Sequence, residues 1–274
     1  MQAFSSTRDW THPTGTLGEL TRAAHERAAA ATGRLAELRA AARDAQPPVL
    51  FAEALRQLHV SVIAEVKRAS PSKGPIAPGL DAGEQALAYV RGGACAISVL
   101  TEPSRFGGSL ADLADVTSRV AVPVIRKDFL VHPIQLWEAR AAGASAALLI
   151  VRALSPSELP SLMEAMQETG LQALVEVRDE EELARALAVD ARVIGVNNRN
   201  LETLLIDVTT APALIPSIPR DRIAVAESGM KSADDMTAAA AAGADAVLVG
   251  SAVSANADPA AGVRALAAVR RHAR

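Results

Sequence analysis

Short apolar runs rich in β-branched residues recur along the chain, roughly 20 to 34 residues apart. They lie at residues 62–66, 96–100, 122–125, 146–151, 173–177, 193–196, 222–226 and 246–249. Amphipathic stretches rich in alanine and leucine lie between most of these runs, at residues 83–91, 110–119, 133–142, 156–169, 179–188 and 233–242. Gly143, Gly170 and Gly243 follow three of the stretches, as glycine often does at helix C-termini. The pattern predicts strands that alternate with helices.

Strands that are apolar along their whole length and alternate with helices are typical of a parallel sheet covered by helices. Eight such units favour closure into a barrel over an open, doubly wound sheet. The open fold would also be expected to carry a G-x-G-x-x-G fingerprint after its first strand, and residues 70–74 read Ser-Pro-Ser-Lys-Gly instead. We therefore predict the α/β class, as a (β/α)8 TIM barrel over residues 61–274.

Residues 1–60 precede the repeat and predict an N-terminal helical extension. Residues 16–19 have the spacing of a capping box, and residues 17–43 are rich in helix formers. Pro47 and Pro48 interrupt the helical pattern, and a second short helix is predicted at about residues 51–57. The extension is expected to be a lid or cap, with a helix that merely plugs one end of the barrel as the alternative.

Composition indicates a cytoplasmic enzyme of one domain. The 274 residues are 50% hydrophobic and 22% charged, which is ample for a large core. The net charge of -3 is scattered, which argues against a nucleic-acid partner. The longest apolar run, residues 146–151, is too short to cross a bilayer, so no membrane partner is expected. The sequence leaves the oligomeric state open, with a monomer as the working expectation.

Cysteine and histidine usage points away from disulfide and metal chemistry. Cys95 is the only cysteine, so no intrachain disulfide can form, and its apolar surroundings favour a buried thiol over a nucleophile. The five histidines are scattered without the spacing of metal ligands. We expect no metal and no cofactor.

Glu65 and Lys67 stand two residues apart at the end of the first predicted strand, so their side chains share one face. For an isolated Glu-x-Lys, an edge strand with solvated charges would be the simpler explanation. Here the turn-rich loop at residues 70–74 follows, and it can present hydroxyl and N–H groups to an anion. The combination favours an active-site strand.

Polar groups recur at the C-terminal ends of the other predicted strands, where barrel enzymes place their chemistry. In chain order the residues at these strand ends are Ser98, Thr101, Glu102, Lys127, Asp128, Phe129, Glu176, Asn197, Asn198, Arg199, Glu227, Ser228, Gly229, Gly250 and Ser251, most of them polar or ionisable. A surface salt bridge remains the alternative for each charge taken alone. Because unpaired charges near an interior cost on the order of several kcal/mol, their joint recurrence predicts a site. The glycine and serine loops after the last two strands suit the phosphate group of a phosphate ester.

Eight motifs resemble, in order and spacing, those of the indole-3-glycerol phosphate synthase family. They read I-A-E-V-K-R-A-S-P-S-K-G, S-V-L-T-E, F-G-G-S, V-I-R-K-D-F, L-V-E-V, I-G-V-N-N-R-N-L, V-A-E-S-G and L-V-G-S, and they cover the chain from about Phe51 to its end. The resemblance implies conversion of 1-(2-carboxyphenylamino)-1-deoxyribulose 5-phosphate to indole-3-glycerol phosphate, with loss of CO2 and water. It also implies a place in tryptophan biosynthesis and an extension that covers the barrel mouth and contributes to substrate binding.

The resemblance also implies roles for individual residues. Lys127 matches the acid that polarises the substrate ketone, and Glu176 the second acid–base group, with Lys67 as an alternative proton donor. Glu65 would orient the lysines. The implied catalytic set is Glu65, Lys67, Lys127, Glu176, Asn197 and Glu227. The implied substrate-binding set is Ser70, Ser98, Phe106, Phe129, Leu148, Arg199, Leu201, Ser228, Gly229, Gly250 and Ser251.

Two rival functions are weighed against this one. The isomerase of the preceding pathway step has a similar substrate but uses a cysteine after the first strand and an aspartate after the sixth. This chain has Lys67 and Asn197 there. A phosphate-binding barrel without catalysis would be expected to lose Lys127 or Glu176, and both residues are present.

Overall fold

A computed structural model describes residues 10–254, 256 and 258–272 of the chain. Within that part, eight parallel strands close into one barrel. Strands β1 to β8 are Ser61–Val66, Ala96–Leu100, Val124–Lys127, Ala146–Ile150, Gln172–Val177, Val193–Asn197, Ile223–Glu227 and Ala246–Val249. Each strand pairs with the next in the chain, and β8 pairs with β1. The predicted (β/α)8 barrel is confirmed.

Helices surround the barrel and alternate with its strands. Helices α1 to α13 are Gly15–Ala31, Leu35–Asp44, Phe51–Ala54, Ala82–Arg91, Pro103–Phe106, Leu110–Arg119, Pro133–Ala141, Glu158–Thr169, Glu180–Ala188, Thr210–Leu214, Ala233–Ala241, Ser251–Ser254 and Pro259–Leu266. Short 3-10 turns cover Thr32–Arg34, Val151–Ala153 and Ile215–Ser217. Among the described residues, no helix combines the length and apolarity that spanning a membrane requires.

Several boundaries differ from the prediction for identifiable reasons. The third strand begins at Val124 rather than at residue 122, because Pro123 has no N–H to give to the sheet. The predicted helix over residues 17–43 is divided by the 3-10 turn Thr32–Arg34, which contains Gly33. The short helix predicted to reach residue 57 ends at Ala54. The loop at residues 70–74 contains a small antiparallel pair, Ala69–Ser70 with Gly74–Pro75, which the pattern did not predict.

The extension packs on the barrel through two groups of apolar side chains. Leu17, Leu20 and Ala24 of α1 belong to the main hydrophobic core. Leu38 of α2 packs in a second cluster with Ile134 of α7. The predicted capping box at residues 16–19 is wrong: α1 begins earlier, at Gly15, and the N-cap is Thr14. Residues 1–9 of the predicted extension lie outside the described part of the chain.

The start of α1 is fastened to the loop that follows β6. The backbone N–H of Thr14 and its hydroxyl both donate to Oε1 of Glu202, at 2.6 and 3.0 Å. Arg152 donates to the same oxygen at 3.0 Å. The backbone N–H of Thr16 donates to the carbonyl of Glu202 at 3.2 Å. The extension is thereby tied to the carboxyl end of the barrel, the end at which the predicted site residues lie.

Candidate active site

A buried carboxylate between two lysines lies at the carboxyl end of the barrel. Glu65 is 3% exposed. Its Oε1 pairs with Nζ of Lys67, and its Oε2 lies 3.7 Å from Nζ of Lys127. Glu65 lies next to the carboxyl end of β1 and Lys127 ends β3, with β2 between them. The shared face predicted for Glu65 and Lys67 is present in the structure.

Glu65 and Lys127 hold each other in their ionised forms. Burial acts to raise the pKa of Glu65, but Lys67 and Lys127 outweigh it and hold that pKa below its ordinary value. Burial likewise acts to lower the pKa of Lys127, yet Glu65, Glu176 and Glu227 together raise it. Lys127 is therefore a charged, positioned ammonium group at neutral pH, which can polarise a carbonyl oxygen and donate a proton to it.

Glu176 and Glu227 form a second pair of groups, on β5 and β7. Burial, and then the neighbouring carboxyl group of Glu176, raise the pKa of Glu227 well above its ordinary value. Oε2 of Glu176 and Oε1 of Glu227 are buried and have no hydrogen-bond partner among the described residues. Glu227 therefore keeps its proton to higher pH than an ordinary carboxyl group, beside the carboxyl group of Glu176. Such a pair can act as acid and base in turn.

Glycines make room for both groups of charges. A Cβ atom at Gly195 of β6 would overlap Oε1 of Glu227. A Cβ atom at Gly250 would overlap Oε1 of Glu65 and lie 2.7 Å from Nζ of Lys67. The sequence pattern suggested that Gly250 lets a phosphate oxygen approach the backbone. The structure shows a second reason for glycine at this position, which is space for the Glu65–Lys67 pair.

A cavity of about 490 Å³ opens above the charges. Most of the predicted site residues line it, namely Glu65, Lys67, Ser70, Phe106, Lys127, Phe129, Leu148, Asn197, Arg199, Leu201, Glu227, Ser228, Gly229, Gly250 and Ser251. Asp128 lines it as well, but five of the predicted residues do not, namely Ser98, Thr101, Glu102, Glu176 and Asn198. The hydroxyl group of Thr101 donates to Asp128 at 2.7 Å, and the carboxylate of Glu102 caps α5. Ser98 is fully buried on β2, where it is the register partner of Glu65. Glu176 instead lines a smaller, adjacent cavity of about 110 Å³.

One end of the cavity suits a phosphate group. Ser228 and Gly229 adopt left-handed backbone conformations, with φ of 63° and 87°, in the loop after β7. Ser251 opens the short helix α12 after β8. Oγ of Ser70 is buried and has no hydrogen-bond partner among the described residues. These loops follow β7 and β8, and Ser70 follows β1, which neighbours β8 in the closed barrel. Their N–H and O–H groups therefore lie on one side of the cavity and can surround an oxyanion.

Apolar side chains at the ends of β2, β3 and β4, across the barrel from β7 and β8, suit an aromatic ring. The rings of Phe106 and Phe129 lie 6.2 Å apart between centroids, at 41° to each other. Leu148 of β4 also lines this part of the cavity. A flat ring that entered here would lie close to Lys127, which precedes Phe129 by two residues.

The loop after β6 is fixed by its own hydrogen bonds. Oδ1 of Asn197 accepts the backbone N–H of Arg199 at 2.9 Å, which leaves the amide N–H groups of Asn197 able to donate to a ligand. Arg199 donates to the carbonyl of Leu204 at 2.9 Å. Asn198 donates to the carbonyl of Ser228 at 2.9 Å and so joins this loop to the loop after β7.

Several residues that line the cavity were not predicted from the sequence. Thr16 and Leu20 of α1 line the cavity, so the extension forms part of its wall. Lys73 and Lys231 line its rim, and with Lys67 and Lys127 they are all of the lysines in the chain. The sequence contained a signal for these two lysines, because every lysine of the chain lies at or shortly after the end of a predicted strand. No group of three or more His, Cys, Asp or Glu side chains suited to a metal occurs in the described part of the chain.

The fold is that of a (β/α)8 barrel, and the cavity at its carboxyl end has the features of an enzyme site for a small anionic molecule with an aromatic part. Comparison with known proteins is more specific: a profile of the indole-3-glycerol phosphate synthase family matches residues 19–266. The chain belongs to this family.

Two proteins named indole-3-glycerol phosphate synthase illustrate the similarity. The protein from Rhodococcus jostii (strain RHA1) is 52% identical over 224 residues, which are 82% of this chain and 83% of that protein. The protein from Nocardioides sp. (strain ATCC BAA-499 / JS614) is 52% identical over 235 residues, 86% of this chain and 90% of that one.

Among solved structures, thiamine phosphate pyrophosphorylase from Pyrococcus furiosus superposes with a TM-score of 0.57 and 16% identity. The match covers 77% of this chain and 95% of that chain. At this identity the likeness shows the fold alone.

The raised pKa of Glu227 predicts a pH-dependent stability. Above the ordinary carboxyl pKa, the carboxyl group of Glu227 is ionised in the unfolded chain but still protonated in the native protein. The stability of the native protein therefore falls as the pH rises toward the pKa of Glu227 in the folded state. Glu227→Gln removes this titration. The melting temperature of the variant minus that of the parent should therefore increase between about pH 5 and about pH 8.

Thermal melts of the two proteins at both pH values measure this difference. Glu180→Gln is the control, because Glu180 is exposed on the surface of α9. A difference for Glu227→Gln that stays constant across the range would contradict the raised pKa of Glu227.

Proposed function

We propose that the cavity at the carboxyl end of the barrel is the active site for indole ring closure. In the reaction of the family to which the chain belongs, 1-(2-carboxyphenylamino)-1-deoxyribulose 5-phosphate yields indole-3-glycerol phosphate, CO2 and water. The enzyme is a carboxy-lyase of tryptophan biosynthesis. The main support for placing the active site here is the charge cluster of Glu65, Lys67 and Lys127. It lies between the apolar side of the cavity and the loops that suit a phosphate group.

Ring closure begins when an aromatic carbon attacks the substrate ketone. Negative charge then develops on the ketone oxygen, and a positioned cation lowers the barrier. Lys127 has that role, since it is charged, borders the cavity and stands beside the aromatic pocket. Glu65 orients Lys127 through their 3.7 Å contact. Loss of CO2 from the carboxyl-bearing carbon follows.

Dehydration needs a proton for the departing hydroxyl group and a base for a carbon-bound proton. Glu176 is the second acid–base group, and it works with Glu227, the partner that reaches the main cavity. The proton held by this pair can pass to the leaving hydroxyl, after which the pair can accept one. Lys67 is the alternative donor, and it also faces the position of the anthranilate carboxylate.

The remaining residues bind the substrate. Phe106, Phe129 and Leu148 hold the aromatic ring. Asn197 and Arg199 hold hydroxyl or carboxylate groups. The phosphate lies against Ser70 and the loops that contain Ser228, Gly229, Gly250 and Ser251, and Lys73 and Lys231 add positive charge at the rim.

The rival functions fit the site less well. The isomerase of the preceding step would need a thiol and a carboxylate where this cavity has Lys67 and Asn197. A binding protein without catalysis would have no use for a buried Glu176–Glu227 pair, whose desolvation costs stability. The scattered net charge of -3 supports a cytoplasmic enzyme that binds no nucleic acid. We extend the proposal to a monomer.

The test of the proposed function is turnover of the carboxyphenylamino substrate by the purified protein. Indole fluorescence should rise with time, and CO2 should appear in equal amount. Absence of turnover in a folded protein would refute the assignment, and isomerisation of the phosphoribosyl precursor would support the first rival.

Lys127→Met should lower turnover by ~10²-fold or more, the scale of general acid catalysis. The variant should fold normally and still bind the product, because the phosphate loops and the aromatic pocket are unchanged. Steady-state kinetics and calorimetric titration with indole-3-glycerol phosphate measure the two effects. Arg34→Met, at an exposed ion pair outside the cavity, is the control. Near-normal turnover in folded Lys127→Met would overturn the role of Lys127.

Deletion of the residues before Pro48 should raise the Michaelis constant while leaving the circular dichroism of the barrel largely intact. The physical reason is that Thr16 and Leu20 form part of the cavity wall, and that α1 is tied to the loop bearing Arg199 and Leu201 through Glu202. The melting temperature should also fall, since Leu17 and Leu20 leave the core.

Steady-state kinetics, circular dichroism and thermal melts of the truncated protein separate the alternatives. An unfolded or aggregated product would instead show that residues 1–60 are a structural plug. Unchanged kinetics would show that the segment has neither role.

A further inference from the structure

The small cavity that Glu176 lines contains a second buried glutamate. Glu182 lies in the first turn of α9, is 8% exposed and also lines this cavity of about 110 Å³. Because about 10–15 Å³ of such volume is enough for one water molecule, the space can hold several. The cavity lies beside the main one, and Asn197, Arg199 and Leu201 border both. Glu176 and Glu182 therefore share a compartment that a substrate in the main cavity would not fill.

The hydrogen bonds of Glu182 account for only one of its carboxyl oxygens. Oε2 accepts the backbone N–H of Arg178 at 2.7 Å, and the backbone N–H of Glu182 donates to Asp179 at 2.8 Å. This is the geometry of a helix N-terminus, and it fixes the side chain. On the other side of the cavity, Oε2 of Glu176 is buried and has no hydrogen-bond partner among the described residues.

Glu182 carries a proton at neutral pH. Burial, followed by the nearby charge of Asp179, raises the pKa of Glu182 to about 8. Charged groups face Glu182 or its cavity from each neighbouring element. They are Glu176 of β5, Arg178 and Asp179 between β5 and α9, Arg185 of α9, Arg152 after β4, and Arg199 and Glu202 after β6. Among those that act on the pKa of Glu182, Glu176 raises it, whereas Arg152 and the N–H of Arg178 lower it.

The reaction consumes a proton in each turnover, and this step rests on the proposed function. The ionised carboxylate of the substrate leaves as neutral CO2, and the hydroxyl leaves as water. The balance is therefore substrate carboxylate plus H⁺ giving indole-3-glycerol phosphate, CO2 and H2O. With the substrate in the main cavity, the mouth is occupied, so the proton needs another route.

We propose that Glu182 and the small cavity form the proton-uptake route to Glu176. Glu182 donates its proton, through water in the cavity, to the Glu176 carboxylate, and solvent then reprotonates Glu182. Glu176 delivers the proton to the reaction together with Glu227. Glu182 acts through Glu176 and does not touch the substrate, so it is a positioning residue and not a catalytic one.

Glu182→Gln tests the route, because glutamine keeps the oxygen that accepts the N–H of Arg178 but cannot relay a proton. Turnover should fall by about tenfold or more, with an unchanged Michaelis constant, since a proton transfer then limits the rate. Added formate, a small acid that fits the cavity, should restore part of the loss. Glu182→Asp, which keeps a titrating carboxyl group, should also regain part of it.

Glu158→Gln is the matched control. Oε2 of Glu158 accepts the backbone N–H of Ser155 at 2.7 Å at the start of α8, but Glu158 lines neither cavity. Its turnover should match that of the parent protein and should not respond to formate. Parental turnover in Glu182→Gln would overturn the route. So would a loss that formate and Glu182→Asp both fail to restore, because a purely structural role predicts that result. Lack of turnover in the parent protein would instead refute the proposed function.

Discussion

The buried carboxylate of Glu65 holds two lysines at the carboxyl end of the barrel, and the arrangement of the site follows from that contact. Two ammonium groups would repel each other in a cavity of low polarity, and burial alone would push the pKa of Lys127 down. Glu65 reverses both effects, and its own pKa is lowered by the same lysines. Gly250 is required nearby because any larger residue would enter the space of this ion pair.

Closure of the barrel brings these groups together from distant parts of the chain. Glu65, Lys127 and Glu227 lie at or next to the carboxyl ends of different strands, and the parallel register places all of those ends at one rim. The main cavity is therefore lined by Lys67, Lys127 and Glu227, and Glu176 lies behind it in the smaller cavity. The N-terminal extension completes the enclosure, because α1 lines the cavity and is tied through Glu202 to the loop after β6.

Much of the fold and site could be predicted from the sequence because both depend on local regularities. Period and length placed every strand to within two residues, and strand ends then pointed to the lining residues. The remaining features depend on contacts between distant segments. Nothing local to Thr16 or Leu20 indicates that they reach the cavity, and nothing near Glu182 indicates that it faces Glu176. The capping-box spacing at residues 16–19 was misleading because the contact with Glu202 starts the helix earlier.

An NMR titration of the lysine side-chain nitrogens measures whether Glu65 keeps Lys127 charged within the barrel. The chain has few lysines, Lys67, Lys73, Lys127 and Lys231, so their resonances can be assigned by single substitutions. We expect a pKa of Lys127 above the ordinary lysine value in the parent protein, and a clear decrease in Glu65→Gln, where burial is less well compensated. An unchanged pKa of Lys127 in Glu65→Gln would show that Glu65 does not maintain this charge.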